Sequence, residues 1–226
     1  MAAENVVEAR NIVKTYVLGK KRFEVLKGVS FSARKGEFLS IQGPSGSGKT
    51  TLIFLAAGLD LPDSGEIIVN GANLAEMSDK ERTVWRRRNV GIVFQFYHLL
   101  PTLTALENIL LVMELAGIPK KERTSRAMDL LDFVGLRSAA DKYPAELSGG
   151  EQQRIAIARA LAADPPVLLA DEPTANLDTH NKVRIVKLLR KAAENGTTVI
   201  MATHDPALAE ESDRILRLVD GAIVEE

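Results

Sequence analysis

The 226-residue sequence predicts an α/β fold with a largely parallel sheet, interrupted by an inserted helical subdomain. Three observations predict it. Short apolar stretches ending in polar residues alternate with stretches of helical period, as in a parallel sheet wrapped by helices. One of these stretches, EFLSIQ, runs directly into the glycine-rich turn GPSGSGKT. Between Phe96 and Leu147 nothing reads as a strand, whereas helical spacing is plain.

Taken in order, VVEARNIV and VSFSA read as early strands and GEIIVNG as another, with Gly and Asn marking turns. EFLSIQ, VGIVFQ, PVLLADEP and TTVIMATHD follow as apolar strands. LTALENILLVMELAG and KKERTSRAMDLLDFVGL are helices separated by the breaker Gly117-Ile118-Pro119. The second places Met128, Leu131 and Val134 on one face. In the first, Leu106, Ile109, Leu110 and Met113 form a core stripe that leaves Leu111, Val112 and Leu115 off it. That surplus fits packing from several sides, or a groove for a short helix of a membrane partner. The expected organisation is one domain over 1–226. An α/β core with a β-subdomain takes 1–95 and 151–226, and the helical subdomain takes 96–150.

Composition narrows the function. Hydrophobic residues make up 46% and charged residues 26%, the balance of a globular domain with a sizeable core. A net charge of −1 lacks the basic excess of a dedicated nucleic-acid binder and gives no pull toward anionic lipid. The basic run WRRRN reads as a solvated helix end. Without cysteine there are no disulfides or thiolate metal sites. The segment MAAENVVEARN is acidic and has no long apolar stretch, so it is not a secretory signal. LIFLAAGL is far shorter than the roughly 20 residues of a membrane span. The expectation is a cytosolic chain that reaches a membrane only through a partner.

GPSGSGKT, at 43–50, fits the phosphate-loop pattern between a strand and a helix. Gly43, Gly46 and Gly48 let the backbone turn its N–H groups onto phosphate oxygens, with Pro44, Ser45, Ser47 and Thr51 completing the cradle. Lys49 reaches the β- and γ-phosphates and Thr50 offers its hydroxyl to Mg²⁺. VLLADEP delivers Asp171 and Glu172 at a strand's C-terminal end, where α/β sheets bind ligands. Asp171 is placed to hold Mg²⁺ through its water shell, and Glu172 to polarise the attacking water. Gln95 and His204 end two further strands, Gln95 to touch Mg²⁺ and water, His204 to donate to the γ-phosphate.

In LSGGEQQR, Ser148 with Glu151 is a capping-box pattern, which needs neither Gly149 nor Gly150. Glycines there suggest an anion approaching the backbone closely. Together, GPSGSGKT, Gln95 after GIVF, LSGGEQQR, LLADEP, NLD and the Thr-His pair resemble the nucleotide-binding subunit of an ATP-binding cassette (ABC) transporter over essentially the whole chain. The resemblance implies a RecA-like P-loop NTPase core with an N-terminal antiparallel β-subdomain. It implies ATP and Mg²⁺ as cofactors, with Tyr16 stacking on adenine. It also implies an ATP-bound head-to-tail homodimer in which Ser148, Gly149, Gly150 and Glu151 meet the partner's ATP and Asp178 couples the subunits. Ala175 stands where many close relatives have glycine. The partner implied is an integral membrane permease, which holds the chain on the cytoplasmic face of the inner (plasma) membrane; no nucleic acid is expected. FQFYHLLPTLTALENI is similar to lipoprotein-releasing and macrolide-exporter ATPases, and LLADEPTANLD to a cell-division relative. The competing class is a soluble ABC ATPase acting on DNA or ribosomes. Its usual marks of long coiled-coil insertions, zinc-binding cysteines or a second cassette are missing from the sequence.

Overall fold

The computed structural model describes residues 4–224. Residues 1–3 of MAAENVVEARN and residues 225–226 of the expected domain lie outside the described residues. The chain opens with a long antiparallel hairpin, β1 (Asn5–Leu18) and β2 (Lys21–Arg34). β3 (Phe38–Gln42) leads through the glycine-rich turn into α1 (Lys49–Ala56). β4 (Ser64–Val69) and β5 (Ala72–Asn73) join the hairpin in a four-stranded antiparallel sheet. Then come α2 (Asp79–Asn89) and β6 (Val90–Val93), followed by three helices: α3 (Ala105–Leu115), α4 (Lys120–Phe133) and α5 (Gly149–Ala160). β7 (Val167–Asp171), α6 (Thr179–Glu194), β8 (Thr198–Thr203), α7 (Pro206–Ala209), β9 (Arg214–Val219) and β10 (Ala222–Val224) complete it.

The second sheet runs in the order β10-β9-β3-β8-β7-β6, parallel except for β10. Its register decides where the chemistry sits. Gln42 lies beside Thr203, and Asp171 beside Ala202. The phosphate turn, Asp171–Glu172 and His204 therefore all leave one edge of the sheet.

Alternation along the strands sorts the core into two faces, as a period of two requires. Phe38, Leu168 and Met201 join one cluster, while Leu39, Leu169 and Ile200 join the other. The first cluster continues without a break into Ile109, Met113, Ala127 and Leu131 of the helical segment. Met128 and Val134 pack there too.

Several expectations are amended. Val112, expected off the α3 stripe, packs on the core, whereas Leu115 is exposed. WRRRN is not simply solvated: Arg86 donates to Gly58 O at 2.9 Å and Arg88 to Ala116 O at 2.8 Å. Helix ends leave carbonyls without intrahelical partners, and here α2 supplies donors to the ends of α1 and α3. Gln95 sits two residues beyond β6, in a segment with no regular structure. β9 and β10 were not anticipated; the signal was Asp220-Gly221, a hairpin dipeptide between apolar runs.

Candidate active site

β3 ends where the sheet no longer constrains the chain, and the turn that follows is shaped by its glycines. Gly46 and Gly48 take left-handed backbone angles, φ 81° and 104°. A Cβ on Gly43 would stand 2.1 Å from Leu218 O, so close approach to β9 excludes any side chain. No side chain caps α1 at Gly48, which leaves the first-turn N–H groups for a ligand. The buried Lys49 ammonium donates to Gly43 O at 2.8 Å and Pro44 O at 2.9 Å, and lies 3.4 Å from Glu172 Oε1. Ser47 Oγ is buried without a partner.

Across the turn, Thr50 Oγ1 donates to Asp171 Oδ1 at 3.0 Å. Burial pushes the Asp171 carboxyl above the usual carboxylate range, and the Glu172 charge adds to this; the Thr50 hydrogen bond and Lys49 offset part of it. Glu172 takes a left-handed backbone, φ 46°, held by its N–H to Ala202 O at 3.0 Å. Its Oε2 meets His204 Nδ1 at 2.8 Å. One carboxylate thus stands between a buried cation and an imidazole.

A cleft of about 750 Å³ brings together Tyr16, Pro44, Ser45, Gly46, Gly48, Lys49, Thr50, Thr51, Gln95, Glu172 and His204. Gly43 and Asp171 reach it through Lys49 and Thr50. The Tyr16 hydroxyl donates to Asp60 Oδ2 at 2.8 Å, with the Lys14 ammonium 5.1 Å from the ring centroid. Burial and that hydrogen bond push the phenol pKa up. Hard oxygen donors at Thr50 and Asp171 suit Mg²⁺, which keeps much of its water and binds phosphate oxygens. The unpartnered Ser47 hydroxyl and the uncapped α1 suit phosphate. The residues present therefore fit both ATP and Mg²⁺.

Ser148, Gly149, Gly150, Glu151 and Asp178 line none of this cleft. Ser148 and Glu151 form the expected capping box of α5: Ser148 Oγ accepts from Glu151 N at 3.3 Å and Glu151 Oε2 accepts from Ser148 N at 2.9 Å. These bonds, the one from the Ser148 N–H first, hold the Glu151 carboxyl below its ordinary pKa. The two glycines also sit against side chains of their own chain. A Cβ on Gly149 would stand 2.7 Å from the Tyr97 hydroxyl, and one on Gly150 2.5 Å from Asn181 Oδ1. Both neighbours are side-chain ends that would have to turn aside to admit a Cβ. Asp178 caps α6 by accepting from Asn181 N at 2.9 Å, and Asn181 returns a bond to it at 2.7 Å. Ala175 needs no left-handed angle, so alanine in place of glycine leaves this turn unstrained.

Three residues outside the expected set bind the loops around the cleft. Gln153 Nε2 donates to Phe94 O at 3.2 Å and Pro173 O at 2.8 Å. Arg159 donates to Tyr97 O at 2.9 Å and also to His98 O, and Asn176 donates to Gln95 O at 3.4 Å. For Gln153 the available signal was its place one helical turn before the buried Ile157, on the apolar face of α5.

A family model described as ABC transporter matches residues 26–175. An uncharacterized ABC transporter ATP-binding protein of Thermotoga maritima is 47% identical over 220 residues, covering 97% of this chain and 94% of that protein. The lipoprotein-releasing system ATP-binding protein LolD of Bacteroides fragilis is 48% identical, covering 89% of this chain and 94% of its own. LolD of Aquifex aeolicus is 46% identical, covering 98% and 97%. Among solved structures, the dimeric post-hydrolysis state of the ATP-binding cassette MJ0796 bound to ADP and Pi matches with a TM-score of 0.89 at 42% identity, covering 97% of each chain.

Proposed function

The chain belongs to the ABC transporter family, and from that premise we propose that it is the ATP-hydrolysing subunit that energises a separate membrane permease, working as a head-to-tail homodimer closed by ATP. The observation that carries this reading is the separation of two half-sites. Lys49, Thr50, Glu172 and His204 share one cleft, while the exposed Ser148 lies outside it, free to meet a nucleotide held by a second copy.

The chemistry follows from the side chains. The N–H groups at the start of α1 bind phosphate oxygens, and Ser47 Oγ gains a partner there. Lys49 Nζ, now on two carbonyls, transfers to phosphate oxygens, which outbid neutral acceptors for an ammonium. Thr50 and Asp171 hold Mg²⁺, which when bound neutralises charge on the phosphates. Glu172 orients the attacking water and accepts its proton at a carboxylate oxygen. His204 Nδ1 fixes that carboxylate at 2.8 Å, and the ring donates toward the γ-phosphate. Gln95 senses the occupied cleft, and Tyr16 offers its anchored ring to adenine.

Among the described residues no helix is long and apolar enough to cross a membrane. The proposed location is peripheral, on the cytoplasmic face of the inner membrane, held by the permease, as relatives of the LolD type support. Exposed Phe96, Leu100 and Leu115 on the helical segment support a contact with a short permease helix. Relatives at 46% and 48% identity support lipoprotein release, or a related export or mechanical task, as the work done.

The test is Glu172→Gln in ATP and Mg²⁺. Size-exclusion chromatography with light scattering is expected to show a persistent dimer, since the proton acceptor is lost but every nucleotide contact remains. A monomer at saturating ATP refutes the sandwich. A polytopic membrane protein is expected to co-purify from detergent extracts; recovery of ribosomes or DNA in its place refutes the permease.

A further inference from the structure

We propose that Gln153 is a positioning residue that couples the two ATP sites of the dimer. It does so by tying the loops of Gln95 and Glu172 to the helix that carries Ser148. Its side chain is fully buried. Nε2 donates to Phe94 O, immediately before Gln95, and to Pro173 O, immediately after Glu172. One amide group thus holds the main chain on both sides of the cleft.

The chemistry of the neighbours orients that amide. Both are carbonyl oxygens, so a flipped amide would set oxygen against oxygen. In the observed orientation Oε1 is buried with no partner. A buried acceptor left unmade is unfavourable, so the amide serves through its donor. Outside α5, Asn176 also donates to the loop that Gln153 grips, at Gln95 O at 3.4 Å. Residues 94–98 form neither helix nor strand, and Arg159, also on α5, holds Tyr97 O and His98 O. α5 therefore supplies most of the side-chain hydrogen bonds that hold residues 94–98.

This inference rests on the dimer proposed above. In that arrangement Ser148, Gly149 and Gly150 meet the ATP held by the partner, whereas Gln95 and Glu172 act on the ATP held by their own chain. Gln153 lies little more than one turn into α5 from Ser148. Seating of α5 on one nucleotide then sets the loops that hydrolyse the other. An ordinary buried staple would stabilise the fold without linking the sites.

Two variants separate these roles. Gln153→Met keeps the volume and loses the donor. It is expected to fold, to bind ATP within about twofold of the parent, and to dimerise in the Glu172→Gln background. With Glu172 present, kcat falls on the order of tenfold and the Hill coefficient for ATP drops toward one. Gln153→Glu faces two carbonyls with a carboxyl that donates only when protonated. Its kcat and its Hill coefficient for ATP, relative to the parent, are expected to recover together as pH is lowered from 8 to 6; a staple that only holds the fold would leave the Hill coefficient at the parental value throughout. Parental kcat and cooperativity in Gln153→Met, a loss confined to ATP affinity, or a flat relative pH profile in Gln153→Glu overturns the proposal. A Glu172→Gln chain that stays monomeric with Gln153 intact overturns the dimer reading instead.

Discussion

At the scale of single residues, the site holds groups in states that cost the fold free energy. Glu172 keeps a left-handed backbone, which for a non-glycine residue costs of order 1–3 kcal/mol, and Ala202 O pins it there. Asp171 is buried beside another carboxylate, and its pKa is raised. A raised native pKa means that the folded chain binds more protons than the unfolded one as pH climbs above the ordinary carboxylate value. Stability without metal therefore falls as pH rises through that window. Asp171→Asn removes the charge while keeping an acceptor for Thr50. It is expected to raise the melting temperature of the nucleotide-free chain at pH 7 and to abolish Mg²⁺-dependent hydrolysis. An unchanged or lower melting temperature would show that the carboxylate is better solvated than its surroundings suggest. Motif chemistry singled out Lys49, Thr50, Glu172 and His204, and the fold brings these four to one cleft. That Lys49 rests on carbonyls was not legible, since the partners of a flexible cation depend on the fold.

Among elements, backbone approach matters more than side-chain identity. Gly91 on β6 faces the end of α5, and a Cβ there would stand 2.3 Å from Ala160 O. A carbonyl in a helix end cannot move aside as a side chain does. Gly91→Ala is expected to cost roughly 2–3 kcal/mol, read as a lower denaturant midpoint at unchanged slope. It also pushes α5 off the sheet, so activity should fall further than stability alone requires. α2 works at this scale through Arg86 and Arg88, which join the ends of α1 and α3. A run of arginines in a sequence looks the same whether it is solvated or bonded. Only the arrival of two helix ends at α2 distinguishes the cases.

For the whole molecule, the helical segment and the sheet share one apolar cluster, and long-range polar clamps close the rest. Asp213 accepts from Phe38 N at 2.8 Å and pairs with Arg190, joining β3, α6 and the strand pair at the C-terminal end. Burial alone would raise the Asp213 pKa, but the Phe38 N–H and Arg190 outweigh it and hold the carboxyl below its ordinary value. A depressed native pKa contributes stability above the unfolded value of about 3.9, and that stability is lost as pH falls through the native one. Asp213→Asn is expected to lower the melting temperature at pH 7, with the difference from the parent shrinking below about pH 4. A constant difference across pH 3–7 would exclude the clamp. By itself the sequence determined the α/β class, the glycine-rich turn, the acidic pair at the end of β7 and the cap of α5, because each follows from local spacing and local hydrogen bonding. Only the tertiary structure decided what Gly149 and Gly150 pack against and which carbonyls Gln153 reads. Those relations join residues far apart in the chain. Their distances are set by sheet register and helix packing, which no local pattern encodes.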